Sequence, residues 1–213
     1  MIHDNWTYKI LDLPQLPDHL EQLLWDLYNN PEKDHRLINK NGYNDAMKPE
    51  LVGRADASKG LHAYRNGVYV GNSRALRYTM DQPIIDWLRE HVSSTWTDTG
   101  LSICKGETGS MTPHTDYTRN YAVMYNIQTG DADTCFWQEN GKTVHRELRE
   151  FAYNYDTLKL LCSAKFPNRT WIVLNTNVLH SVENIGAHRV QLQLGVNEIP
   201  KNWEFLHEEL IVV

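Results

Sequence analysis

His114, Asp116 and His180 are the residues of this chain best suited to chemistry, and Arg189 follows shortly after the last of them. Two imidazoles and one carboxylate can cover one face of a divalent ion and leave the opposite positions open, the arrangement used by non-haem Fe(II). An arginine nearby suits a dicarboxylate that fills two of those open positions, because its planar guanidinium grips a carboxylate through two parallel hydrogen bonds. The triplet alone is weak evidence, since ten His and 27 Asp plus Glu produce about one His-x-Asp/Glu by chance. Three occur: His114-Thr115-Asp116, His145-Arg146-Glu147 and His207-Glu208-Glu209. The third has too little chain after it to supply a distal histidine. The second sits in the charged run HRELREF, which reads as a solvated face. The first stands between strand-like segments, and YAVMYNI after it is rich in β-branched and aromatic residues.

The distal half of the pattern has its own local logic. TWIVLNTNVLHSVENIGAHRVQLQLGV reads as strand, turn, strand: residues 171–174 are a continuous apolar run, Asn184-Ile185-Gly186 suits a turn, and residues 190–194 alternate with period two. Such a hairpin can carry His180 on one strand and Arg189 near the start of the next, both facing one cavity. His188 beside the arginine should then point the opposite way and is no ligand.

HxD, a long gap, then H and a basic residue shortly beyond it resembles the 2-oxoglutarate/Fe(II)-dependent oxygenase family, over roughly residues 100–197. The resemblance implies a mainly β fold with flanking helices, a double-stranded β-helix (jelly roll) preceded by an N-terminal helical segment. It implies that His114, Asp116 and His180 hold Fe(II), that 2-oxoglutarate chelates the iron through its keto and C1-carboxylate oxygens, and that O₂ is the second cosubstrate. Succinate and CO₂ are released as a substrate C–H bond is hydroxylated. Arg189 would hold the far carboxylate. Many members follow this arginine with x-Ser or x-Thr; here the position is Gln191, which can also donate. Tyr125, on the strand after the triplet, is a further candidate donor or a core aromatic. HTDYTRNYAVMYNI and HSVENIGAHRVQL look most like bacterial and phage members near the amino-acid and aspartyl/asparaginyl/prolyl hydroxylases, which implies an amino acid, free or in a peptide or protein, as substrate. The alternative is a cupin-like jelly roll that binds a metal or sugar as an isomerase or sensor without redox chemistry. Cupins commonly carry His-x-His, which this chain lacks.

Spacing can be tested against that barrel. The chain must cross the sandwich four or five times between the triplet and the distal histidine, which needs roughly 40–70 residues. The gap from Asp116 to His180 satisfies this. The gap from Glu147 to His180 is too short, so spacing favours His114 over His145. Strands are expected at 101–105, 121–127, 134–138, 142–145, 171–174, 178–183 and 189–196. Residues 146–166 read as partly helical from Leu158, Leu160 and Leu161. Pairing of residues 1–13 with the barrel is left open.

Ahead of the barrel, residues 17–29 place Leu20, Leu23, Leu24 and Leu27 on one stripe behind Pro17, and residues 82–92 repeat the logic with Ile84, Ile85, Leu88 and Val92. Both are expected to pack on a barrel face. Residues 31–80 are polar and interrupted, and composition favours loop, with a covering role for Tyr43, Arg54, Tyr64 and Arg74 as the alternative. The 213 residues suit one domain: an embellishment over 1–98, a catalytic core over 99–200 and a tail over 201–213.

Composition narrows the setting. Seven Trp and eleven Tyr beside four Phe suggest amphipathic walls whose N–H and O–H groups need partners. A net charge of −6 gives no basic footprint for general nucleic-acid binding. No apolar leader or membrane span is evident. Cys104, Cys135 and Cys162 are odd in number and lack CxxC spacing, which argues for buried thiols in a reducing compartment. The sequons at Asn5 and Asn168 are then incidental. The expectation is a cytoplasmic protein acting on a small-molecule or peptide substrate.

Overall fold

The computed structural model describes residues 4–29, 37–39, 62–66, 68–70, 76–105, 109–116, 119–139, 144–147, 150–186 and 188–211. In chain order, strand β1 (Trp6–Leu11) leads to helix α1 (Asp18–Asn29). Short strands β2 (Leu37–Asn39), β3 (His62–Arg65), β4 (Val68–Val70) and β5 (Leu76–Tyr78) precede helix α2 (Gln82–His91). Then follow β6 (Asp98–Lys105), β7 (Gly109–His114), β8 (Tyr121–Gln128), β9 (Asp133–Glu139), β10 (Val144–Glu147) and β11 (Glu150–Asn154). A 3-10 turn at Tyr155–Thr157 opens β12 (Leu158–Ala164), followed by β13 (Thr170–Asn175), β14 (Leu179–Ile185), β15 (His188–Val196) and β16 (Phe205–Leu210).

The strands form a mostly antiparallel β-sandwich with two helices among the described residues. The large sheet has the order β16-β1-β13-β8-β15-β6-β5-β2 and the small one β12-β9-β14-β7. From β6 to β9, and again from β12 to β15, the chain crosses repeatedly between these two sheets. The excursion β10–β11 joins β3 and β4 in a third sheet, ordered β10-β11-β3-β4, in which β11 and β3 run parallel.

Period-two alternation sorts the side chains of the large sheet into two layers. Val123, Tyr125 and Ile127 of β8, with Val190, Leu192 and Leu194 of β15, pack beneath the helices. Helix α1 lays Leu20, Leu24 and Leu27 on them, and α2 lays Ile84 and Leu88. Pro17 accepts from the first-turn N–H groups of Leu20 and Glu21 through its carbonyl, and Arg89 and His91 occupy the last turn of α2, where cations suit the helix dipole. Ala122 and Met124 of β8, with Ile172 and Leu174 of β13, face the other way, toward Phe136 of the small sheet. No helix among the described residues is long and apolar enough to cross a membrane.

The elements expected from the sequence form close to their expected bounds; β7 and β16 are additional strands, two segments differ from expectation, and one open pairing is decided. Residues 146–166, read as partly helical, form where described the end of β10, then β11, the 3-10 turn and β12. Leu158, Leu160 and Leu161 are not one stripe: β12 pairs with β9, Leu160 is exposed and Leu161 packs on the inter-sheet cluster. A short apolar run does not separate helix from strand, so long-range pairing decides. Where described, the 31–80 segment is mostly strand, in β2 to β5, with a turn at Asn66; Tyr43, Arg54 and Arg74 lie outside the described residues, as does the side chain of Tyr64. The pairing left open for residues 1–13 is real, with β1 lying between β13 and β16.

Leu88 is fully buried where α2 meets the large sheet. Leu88→Ala should cost about 2–5 kcal/mol of stability, measured as a lower midpoint in reversible denaturant unfolding.

Candidate metal centre

His114 is the last residue of β7 and His180 the second of β14, and the two strands pair so that these residues stand opposite each other. The imidazole centroids are 4.4 Å apart. Each ring is fixed through Nδ1: that of His114 lies 2.7 Å from the Thr112 carbonyl oxygen, and that of His180 lies 2.9 Å from the Val178 carbonyl oxygen. A carbonyl only accepts, so both rings carry the proton on Nδ1 and keep an Nε2 lone pair for a metal. Asp116, two residues past the end of the ladder, is held by its backbone N–H, which donates to the Thr176 carbonyl at 3.1 Å. One ligand atom from each of His114, Asp116 and His180 lies within 4.8 Å of the others. This is the metal-competent cluster among the described residues.

A residue that the sequence reading passed over shapes this cluster. The Arg119 guanidinium donates through both Nε and Nη2 to Asp116 Oδ2 at 2.7 Å. That oxygen is thereby committed, and Oδ1 is left 3.9 Å from His114 Nε2. Burial would push the Asp116 carboxyl up, but Arg119, with His180 and His114, outweighs it and holds the group at about 2. Burial and then the neighbouring His114 push the His180 imidazole down to about 4, so the ring is neutral at ordinary pH and able to ligate. The Thr176 hydroxyl donates to the Arg119 carbonyl at 3.0 Å. The β13–β14 turn thus grips both Asp116 and Arg119. The signal in the sequence was an arginine three residues after the aspartate, legible only once the turn is known.

Arg189 and Gln191 lie on β15 and are buried. They alternate with Val190, Leu192 and Leu194, which face the helices, so Arg189, Gln191 and Gln193 project from the opposite face. Gln193 locates that face, because its amide carbonyl accepts from the Arg119 guanidinium. The arginine, the glutamine and the ligand cluster therefore share one side of the large sheet.

Tyr125 is not brought to them. It is fully buried on the helix side, its ring 4.8 Å from that of Trp171, and burial raises its pKa. Its neighbour Asn126 faces the site side in its place. Gln191 Nε2 donates to Asn126 Oδ1 at 2.6 Å, which fixes the Asn126 amide and leaves its Nδ2, fully buried, without a hydrogen-bond partner among the described residues. Nothing in the sequence marks Asn126, because its role depends on which face of β8 it occupies.

The other two triplets fall elsewhere. His145 and Glu147 are on β10 in the third sheet, and nothing is described of their side chains. His207 and Glu209 are on the edge strand β16, where the imidazole lies 3.3 Å from the carboxylate in an exposed pair.

Arg119→Ala should weaken binding of a divalent ion about 10- to 100-fold, the usual cost of losing a residue that orients a ligand, and Arg119→Lys should fall between. Titration with Co(II), followed by visible absorption, measures both.

No family model matches the chain, and no curated protein does. Solved structures similar to it include an oxidoreductase of the 2OG-Fe(II) oxygenase family from Burkholderia pseudomallei, 12% identical, with a TM-score of 0.33 over 65% of this chain and 69% of that one. Escherichia coli ycfD is 13% identical, with a TM-score of 0.39 over 90% of this chain and 55% of its own.

Proposed function

We propose that this protein is an Fe(II)- and 2-oxoglutarate-dependent oxygenase that hydroxylates a C–H bond of an amino acid, free or within a peptide or protein. The observation that carries the reading is the convergence of two Nε2 lone pairs and one carboxylate oxygen, with the second carboxylate oxygen committed to Arg119. That donor set is the hard-to-borderline, three-point set that suits Fe(II) and leaves positions for a chelating cosubstrate and O₂. The alternating crossings between the two sheets support a double-stranded β-helix as the frame.

The buried polar groups on the site side of β8 and β15 suit a dicarboxylate cosubstrate. A buried amide donor with no acceptor costs about 1–3 kcal/mol, and Asn126 Nδ2 is such a donor. A carboxylate is the acceptor that fits it, and Arg189, buried on the same side of the sheet, supplies the charge. In this reading His114, Asp116 and His180 hold the iron, and Arg189 and Asn126 hold the distal carboxylate of 2-oxoglutarate. Gln191 takes an indirect part, since its own donor is spent in orienting Asn126. When bound, the metal with its two cosubstrates supplies a two-electron oxidant, and one oxygen atom of O₂ enters the substrate as 2-oxoglutarate becomes succinate and CO₂. The chain's own contribution is to fix the ligand tautomers through Thr112 and Val178, to keep Asp116 ionised, and to set the Phe136 ring 6.3 Å from that of His180. The substrate class, small molecule or peptide, and a cytoplasmic setting belong to the same proposal. The free Cys135, whose thiol burial pushes up to about 12, is kept protonated and inert.

Anaerobic addition of Fe(II) and 2-oxoglutarate should give a weak visible charge-transfer band that requires both. Its absence, with no succinate formed above an iron-free control, would sink the oxygenase reading. His114→Ala, Asp116→Ala and His180→Ala should each abolish iron retention while the fold persists by circular dichroism.

Truncating one partner of a buried charge-assisted pair costs about 2–5 kcal/mol. Arg189→Ala should therefore weaken 2-oxoglutarate binding about 30-fold or more and leave metal affinity nearly unchanged. Calorimetry with Mn(II) in place of iron separates the two.

A further inference from the structure

The outer face of the small sheet, away from the inter-sheet cluster, holds a buried carboxylate that the proposed chemistry does not use. Glu183 on β14 accepts from Ser181 Oγ and Tyr155 OH, each at 2.7 Å, on Oε1, and from Ser110 Oγ at 2.9 Å and Arg65 Nη2 at 3.3 Å on Oε2. Ser181 in turn accepts from Trp137 Nε1 at 2.8 Å. Arg65 lies over the Tyr155 ring at 4.3 Å. Taking a carboxylate out of water is costly even when it is paired, and apolar packing of similar volume is often as stable or more so. The position of this group in the ladder suggests what that cost secures.

The pairing of β14 with β7 is irregular. The register shifts between the His180–His114 pair and the Val182–Met111 pair, and shifts back before Ile185–Gly109. Asn184 adopts φ 55 within the second shift, the left-handed conformation that such an irregularity demands and that Asn tolerates. Backbone hydrogen bonds therefore specify this register poorly. Glu183 and Ser110 lie one step along from Val182–Met111, and so stand opposite each other inside the shifted stretch. Their side-chain bond spans the ladder where the backbone leaves it weakest. A slip of one residue would turn every side chain of a strand to the other face, and His114 would leave His180.

We propose that Glu183 is a positioning residue for the metal centre: its bond to Ser110 pins the β7–β14 register and so keeps His114 opposite His180. The inference rests on reading His114, Asp116 and His180 as a metal site. Tyr155, Ser181 and Arg65 satisfy the remaining lone pairs, so that the buried charge is tolerated. Arg65 is half-exposed and dispensable to the pin itself.

The test is Co(II) affinity and the Co(II) visible spectrum, read beside thermal unfolding of the metal-free protein. Glu183→Leu should remain folded with Co(II) affinity lowered about 10- to 100-fold and an altered spectrum. Should that variant fail to fold, Ser110→Ala removes the cross-strand donor alone and should still lower affinity several-fold. Glu183→Gln should retain affinity within a few-fold, because its amide can bond the Ser110 hydroxyl in either sense. Arg65→Ala should bind Co(II) as the wild type does. Wild-type affinity and spectrum in folded Glu183→Leu, or in Ser110→Ala, would overturn the proposal, as would a loss in Arg65→Ala equal to that in Glu183→Leu. Wild-type protein that binds no Co(II) would instead remove the metal centre, and the pin with it.

Discussion

His180 faces His114 across an antiparallel ladder, and the rest of the site depends on that pairing. A strand offers its side chains alternately to its two faces, so a pair of opposed residues brings two imidazoles together only in one register. The ring–ring separation of 4.4 Å is a consequence of strand geometry before it is a property of either histidine. Asp116 then needs only a short extension beyond the end of β7 to complete the cluster, and the β13–β14 turn receives it through the Thr176 carbonyl.

Electrostatics completes what the ladder begins. A carboxylate beside two imidazoles in a buried place would drift toward its protonated form, and protonated it could not ligate. The Arg119 guanidinium reverses that, with two short charge-assisted bonds to one oxygen. Binding at Oδ2 alone also leaves the carboxylate asymmetric, with one oxygen for the protein and one for a metal. The His180 imidazole is treated in the opposite sense: burial and the neighbouring His114 favour its neutral form. Both effects act together to present deprotonated ligands.

The interior of the sandwich departs from what stability alone would select. Asn126, Arg189, Gln191 and Gln193 are all buried on the site side of the large sheet, among positions where Val or Leu would pack without polar cost. On the opposite face of the same strands, Val123, Tyr125, Val190, Leu192 and Leu194 form an ordinary core beneath two helices. One sheet thus carries an apolar face and a polar one, and the polar residues are buried only on the second. The stabilising face, tied to α1 and α2, is what allows the other to remain polar.

Much of this was legible in the sequence. The His114-x-Asp116 triplet, the distance to His180, the alternation of residues 190–194 and the leucine stripes of both helices each have a short-range signature, set by the pleat of a strand or the pitch of a helix. Arg189 and Gln191 could be placed on one face by counting. Which face that was could not be read, because alternation assigns residues to two sides without saying what each side meets. Tyr125, readable from the sequence as a donor or as a core aromatic, is core for that reason, while nothing marked Asn126 beside it. Residues 146–166 read as partly helical, and pairing with β9 makes strand of 158–164. Thr176, Ser110 and Glu183 acquire roles only through partners far away in the chain, and Arg119 meets Asp116 only through the local turn that Thr176 holds. Local periodicity determined the elements and their ligands; the pairing of distant strands, which no short window of sequence encodes, decided what those ligands face.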